Sequence, residues 1–193
     1  MPTIIVPLAN GFEEIEAITS IDVLCRAGFD VVTVGLAATP KVCVTGSHGI
    51  VVTPDKSFGE VDKFTPDALV LPGGMPGSKN LGDHIGLKKL AERVAESGGL
   101  LAAICAAPAW TLATWGLLAG RQATCFPGCE SMFPKDVQHS NVAVVIDDAE
   151  KNRVITAKGP GAALDFSLAI VETFAGQKVA ADLKTQLQYT EHI

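Results

Sequence analysis

Short, unbroken apolar runs alternate along this chain with segments of helical period, and this alternation constrains the fold more than any other feature. Residues 3–8, 30–36, 67–71, 100–104, 123–126, 142–146 and 154–157 read as strands, and 3–8, 67–71 and 100–104 are almost wholly apolar. Between them, residues 13–27 carry Ile15, Ile18, Ile21, Val23 and Leu24 at helical spacing and stop at Gly28. Residues 81–97 form a charged amphipathic helix closed by Gly98-Gly99, and further helices cover 162–175 and 179–187. Within 41–53, two short β-like runs are split by a polar turn at 45–49. Strands that read as continuous apolar runs are those covered on both faces, so the pattern predicts a mostly parallel sheet between two helical layers, joined by right-handed crossovers. With 193 residues and no internal repeat or linker, the expectation is one α/β domain over 1–193.

Ligands of such sheets lie beyond the carboxyl ends of the strands. The residues to inspect are therefore 10–16, 72–77, 105–106, 126–127 and 158–161. Cys105 stands out among them. It follows the run 100–104 directly, and the helical pattern that begins at Ala106 has Pro108 in its first turn, where a missing N–H costs nothing. Ala103 and Ala107 flank it at two residues on either side. Small residues at those positions are what a sharp strand-to-helix turn presenting a nucleophile requires. A thiol facing a helix N-terminus is predicted to titrate below its ordinary value of about 8.5, down to roughly 3.5–7.5. The competing reading is a buried structural cysteine.

Glu13-Glu14-Ile15-Glu16 opens the first helix, where acidic residues complement the dipole. Glu13 and Glu14 are assigned to capping. Glu16 is placed within reach of Cys105, because a carboxyl beside a thiolate has its pKa raised and keeps a proton to donate. Pro72-Gly73-Gly74-Met75-Pro76-Gly77 matches neither a Walker loop nor the dinucleotide fingerprint. Its amides suit an oxyanion site instead, with the N–H groups of Gly74 and Ala106 as donors. A cysteine hydrolase would need a base in hydrogen-bond reach. None of His48, His84, His139 and His192 falls at a strand end beside Cys105, where Phe126 stands instead. His48, in a turn, contributes only if delivered from a second subunit.

Composition narrows the partners. A net charge of −6 and scattered Lys and Arg argue against nucleic acid or an anionic membrane surface. Residues 97–120 carry no charge and are long enough to cross a bilayer, yet Pro108 and glycines interrupt them; a strand feeding a buried helix accounts for the same run. The five cysteines and the absence of a signal-peptide pattern are read as free thiols in a reducing, cytoplasmic setting, with a Cys125–Cys129 disulfide the minor alternative.

Taken together, residues 11–16, 21–28, 70–74, 101–108 and 158–161 resemble the ThiJ/PfpI superfamily and, within it, the Parkinsonism-associated deglycase branch. The resemblance runs from about residue 3 to about residue 188. It implies a flavodoxin-like three-layer α/β sandwich, a homodimer, an oxidation-sensitive nucleophile at Cys105 and a protonated partner at Glu16. It also implies cofactor-independent glyoxalase or deglycase activity on methylglyoxal and glyoxal, with oxidative-stress protection and chaperone activity; some related sequences carry protease or thiamine-biosynthesis names. Several relatives have a histidine where this chain has Phe126, and many have an arginine where it has His48. The reading that follows is an enzyme converting α-oxoaldehydes to 2-hydroxy acids with Cys105, Glu16 and the Gly74 and Ala106 amides, without metal or cofactor. The alternative is a redox-sensing chaperone whose Cys105 oxidises to sulfinate.

Overall fold

A seven-stranded sheet organises the chain, six of its strands parallel and one edge strand antiparallel. The computed structural model describes residues 1–37, 39, 42–148 and 151–189, so the start of the 41–53 segment and His192 lie outside the described residues. In chain order the elements are β1 (Thr3–Leu8), α1 (Glu14–Arg26), β2 (Asp30–Gly35), β3 (Val44–Thr45), β4 (Val51–Val52), β5 (Lys56–Ser57) and β6 (Ala68–Leu71). There follow α2 (Gly77–Gly82), α3 (Ile85–Glu96), β7 (Leu100–Ile104), β8 (Gln122–Ala123), β9 (Gln138–His139), β10 (Val144–Asp147), β11 (Val154–Ala157), α4 (Ala163–Ala175) and α5 (Gln177–Gln186). The sheet order is β10-β11-β7-β6-β1-β2-β5, with β3–β4 a separate antiparallel pair and β8–β9 a short parallel one.

Alternation of side chains along each strand divides the core in two. Ile4, Val6, Leu8, Val70, Ala102 and Ile104 face Phe166 and Ile170 of α4 and Leu24 of α1. Ile5, Leu69, Leu71, Leu101 and Ala103 face Leu87, Leu90 and Val94 of α3. Both faces are covered, which is why these strands carry no polar alternation.

The structure corrects several element boundaries. The helix expected over 81–97 is broken: α2 ends at Gly82, and His84 starts α3 by accepting the Leu87 N–H on its Nδ1. The strand expected over 123–126 is only Gln122–Ala123, and it pairs with β9, which has no apolar signature of its own. Along α1 the core face is Ala17, Ser20, Val23 and Leu24, whereas Ile15 and Ile18 are exposed. Isoleucines 15 and 18 misled the periodic reading because they are apolar but point away from the sheet. Residues 97–120 hold β7 and a short helical turn; among the described residues no helix is long and apolar enough to cross a membrane.

Candidate active site

β6 lies between β1 and β7, so the loops leaving these three neighbouring strands converge at one edge. β7 delivers Cys105, β6 delivers Gly73 and Gly74, and β1 leads through Phe12 into α1 and Glu16. Cys105 adopts φ +64°, a left-handed conformation that L-residues seldom take and that marks a constrained turn. Its N–H donates to the Ala157 carbonyl and its carbonyl accepts the Phe126 N–H, each at 2.8 Å. Ala103 and Ala107 are fully buried on either side, as the tight turn requires.

The segment after Cys105 is helical, as its pattern predicts, but over Pro108–Ala113 it is widened to the π type. It fits itself closely to α2: Thr111 Oγ1 donates to the Ser78 carbonyl, and the Trp115 indole N–H donates to the Gly82 carbonyl. The amides of Gly74 and Ala106, beside the sulfur, each pull the Cys105 thiol pKa down.

Glu16 is fully buried. Its Oε2 accepts the Gly73 N–H at 2.8 Å, Oε1 has no hydrogen-bond partner, and the carboxyl lies against Cys105, since a Cβ on Gly73 would meet both Glu16 Oε2 and the Cys105 Cβ. Burial raises its pKa to about 7, helped by the charge of Glu13 and opposed by the Cys105 and Gly73 hydrogen bonds. The thiol moves in the direction opposite to the sequence expectation. Burial and the adjoining Glu16 charge push it up to about 12, against the pull of the Gly74 and Ala106 amides. The two groups titrate as one unit, a first proton leaving near 7 and a second near 12. Between those values the pair carries a single negative charge. That charge rests on the carboxylate, which the Gly73 amide holds, while the thiol keeps its proton beside the Gly74 and Ala106 amides.

Glu13 caps α1, accepting the Glu16 N–H at 2.8 Å. Glu14 does not cap; it anchors the 46–50 turn, accepting the His48 N–H at 2.6 Å, the Ser47 hydroxyl at 3.1 Å and the Ile50 N–H at 3.4 Å. His48 Nδ1 lies 2.8 Å from its Oε2. Burial raises the Glu14 pKa, but the His48 side-chain and main-chain hydrogen bonds and that of Ile50 outweigh it and hold the carboxyl at about 2. Nothing in the local sequence announces this long-range anchor. The exposed His48 ring is thus tied to its own chain, and Glu14 raises its pKa. Glu13, Glu14 and His48 offer ligand atoms within 4.8 Å of one another, although Glu14 is already committed to the turn.

All five cysteines are free. Phe126, whose N–H bonds the Cys105 carbonyl, is half exposed and borders a groove that the sequence did not reveal. His84 caps α3, and His139 sits 6.0 Å from the Phe133 ring.

Residues 2–173 match the model of the DJ-1/PfpI family. Protein DJ-1 homolog B of Arabidopsis thaliana is 34% identical over 95% of this chain, which spans 41% of that relative's length. A second plant relative, Protein DJ-1 homolog A, is likewise spanned over less than half its length, 46%. The glutathione-independent glyoxalase DJR-1.2 of Caenorhabditis elegans is 38% identical over 85% of this chain and 83% of its own. Among solved structures, oxidized Toxoplasma gondii DJ-1 superposes with a TM-score of 0.92 at 35% identity, covering 98% of this chain and all of that one.

Proposed function

The chain belongs to the DJ-1/PfpI family, and from that membership and the Cys105–Glu16 pair we propose a cofactor-independent glyoxalase that converts α-oxoaldehydes such as methylglyoxal to 2-hydroxy acids. The observation that carries the reading is the fully buried Glu16 carboxyl, its pKa raised to about 7, lying so close to Cys105 that one Cβ added to Gly73 would overlap both. A similar chain, the worm protein, bears the name of a glutathione-independent glyoxalase.

The chemistry follows from one shared proton. The Glu16 carboxylate takes the thiol proton as the Cys105 sulfur adds to the aldehyde carbon of the substrate. The oxyanion that forms is received by the Gly74 and Ala106 amides and protonated to a hemithioacetal. Each such preorganised donor is worth roughly 10²–10³ in rate. Glu16, now a carboxylate, removes the hydrogen from the former aldehyde carbon to give an enediol, then returns a proton to the neighbouring carbon. The product is a 2-hydroxy thioester. Water cleaves it, releasing the 2-hydroxy acid and the thiol. One carbon is oxidised and its neighbour reduced, so the electrons balance within the substrate plus one water. The same steps extend to oxoaldehydes carried as adducts on protein groups, the deglycase reading. No histidine is among the groups that set the thiol's pKa, which weighs against a peptidase.

Two further parts belong to this reading. Ile15 and Ile18 on α1 and Ile50 and Val51 near the turn that Glu14 anchors are all exposed, and these apolar side chains support a homodimer. In such a dimer the exposed His48 would present a charge to the neighbouring protomer's cleft.

The test is incubation of purified protein with methylglyoxal in the absence of glutathione, with lactate measured. Multiple turnovers per Cys105 are expected. A single stoichiometric event, with sulfinate forming readily under mild peroxide, overturns the enzyme reading in favour of a redox sensor.

A further inference from the structure

We infer that the groove beside Cys105 receives an aryl substituent on the oxoaldehyde, with Phe126 as the specificity-determining residue; this inference rests on the α-oxoaldehyde reading. Phe126 is fixed to the nucleophile through the main chain, its N–H donating to the Cys105 carbonyl at 2.8 Å. The opposite side of Cys105 is fixed equally, since its N–H donates to Ala157, the residue before Lys158. One lining residue, Phe126, is therefore hydrogen-bonded to the residue that bears the sulfur, and the chain enters the other side of the groove at Lys158, directly after Ala157.

The groove encloses about 330 Å³ and is bordered by Phe126, Pro127, Ala143, Pro160 and Ala162, with Lys158 at its side. That volume is at the lower end of the ~300–1,000 Å³ found for small-molecule sites. A methyl substituent leaves most of it wet, whereas an aromatic ring displaces water from apolar walls. The Phe126 ring lies over Gly159, where an added Cβ would come within 3.3 Å of Cδ2, and 45% of the residue stays exposed to a ligand. Lys158 adds little polarity, because its ammonium sits 3.5 Å from the Asn141 carbonyl and its methylene stem is free to line the wall. An apolar surface with one aromatic face selects a ring over a charged or hydroxylated tail.

The experiment compares phenylglyoxal with methylglyoxal as substrates of wild type, Phe126→Ala and Phe126→Leu, each checked by thermal melting. In wild type kcat/KM should favour phenylglyoxal at least tenfold. Phe126→Ala should lower the ratio about tenfold, and Phe126→Leu, which keeps bulk but loses the aromatic face, by a smaller factor. A second readout is independent of turnover: alkylation of Cys105 by 2-bromoacetophenone and by bromoacetone, each rate divided by that of a free thiol. In this step the thiolate displaces bromide, forming a thioether and releasing bromide ion. Methylglyoxal turnover with a ratio that Phe126→Ala leaves unchanged overturns the groove and spares the enzyme reading. No turnover on either oxoaldehyde overturns the enzyme reading, and the alkylation ratio then decides the groove alone. Equal ratios in wild type and Phe126→Ala remove it; an aryl preference lost in Phe126→Ala keeps it as an aryl-binding site beside the thiol.

Discussion

Gly73 stands so close to Cys105 that a Cβ added to it would overlap the Cys105 Cβ and Glu16 Oε2, and would come within 2.9 Å of the Ile104 carbonyl. The acid and the thiol meet because no side chain separates them. Gly73→Ala should force the pair apart, abolishing lactate formation and lowering stability by about 1–3 kcal/mol in urea titration. Wild-type turnover in that variant would show that the close approach is dispensable.

Glu16→Gln can still accept the Gly73 N–H, but it cannot shuttle a proton. Turnover should fall by roughly 10²–10⁴. Cys105 should remain alkylatable by iodoacetamide, and its titration should move down from about 12, because the neighbouring charge that raises it is gone. Near-normal turnover would remove Glu16 from the chemistry, and an unmoved thiol titration would remove the coupling.

Burial of Glu16 also has a pH signature. Its pKa is about 7 in the folded protein against 4.5 for the ordinary carboxyl, so between those values the folded state holds a proton that the unfolded chain has lost. Stability from this group is therefore full below pH 4.5 and declines as pH rises through 7, by about 3 kcal/mol at most. Urea unfolding across pH 4.5–8 should show that slope in wild type and lose it in Glu16→Gln.

Replacing Cys105 tests the backbone beneath it. Elsewhere glycine is less stabilising than alanine by about 0.5–1 kcal/mol. At φ +64° the order should reverse, with Cys105→Gly more stable than Cys105→Ala by about 1 kcal/mol. Equal or opposite stabilities would mean that the left-handed turn relaxes once the sulfur is gone.

His48 should titrate above 6.5, chiefly through the Glu14 hydrogen bond and then its charge. The stabilising contribution of this pair is present below 6.5 and lost as pH rises through the raised value. Imidazole NMR should place the midpoint above 6.5 in wild type and near it in Glu14→Gln. In the proposed homodimer, peroxide oxidation of Cys105 should carry the same pH dependence and lose it in His48→Ala.

What was legible in the chain was whatever depends on local chemistry. Apolar runs that need cover on both faces dictated a parallel sheet, and the small residues around Cys105 dictated a sharp turn. A Gly doublet after 67–71 marked a loop of exposed amides. The rule that ligands lie beyond the carboxyl ends of parallel strands, together with the family resemblance, is why Cys105, Glu16, Gly74 and Ala106 could be named together. The rest depended on distances across the fold. Glu14 looks like any first-turn acid until the 46–50 turn closes on it, and Phe126 looks like a strand residue until its amide is found on the Cys105 carbonyl. Burial decided the protonation as well: sequence placed the thiol at a helix end and expected it to be acidic. Only the packed structure shows a desolvated thiol pushed up to about 12 beside a desolvated carboxyl pushed up to about 7, because the cost of burying charge is set by the surroundings and not by the residue itself.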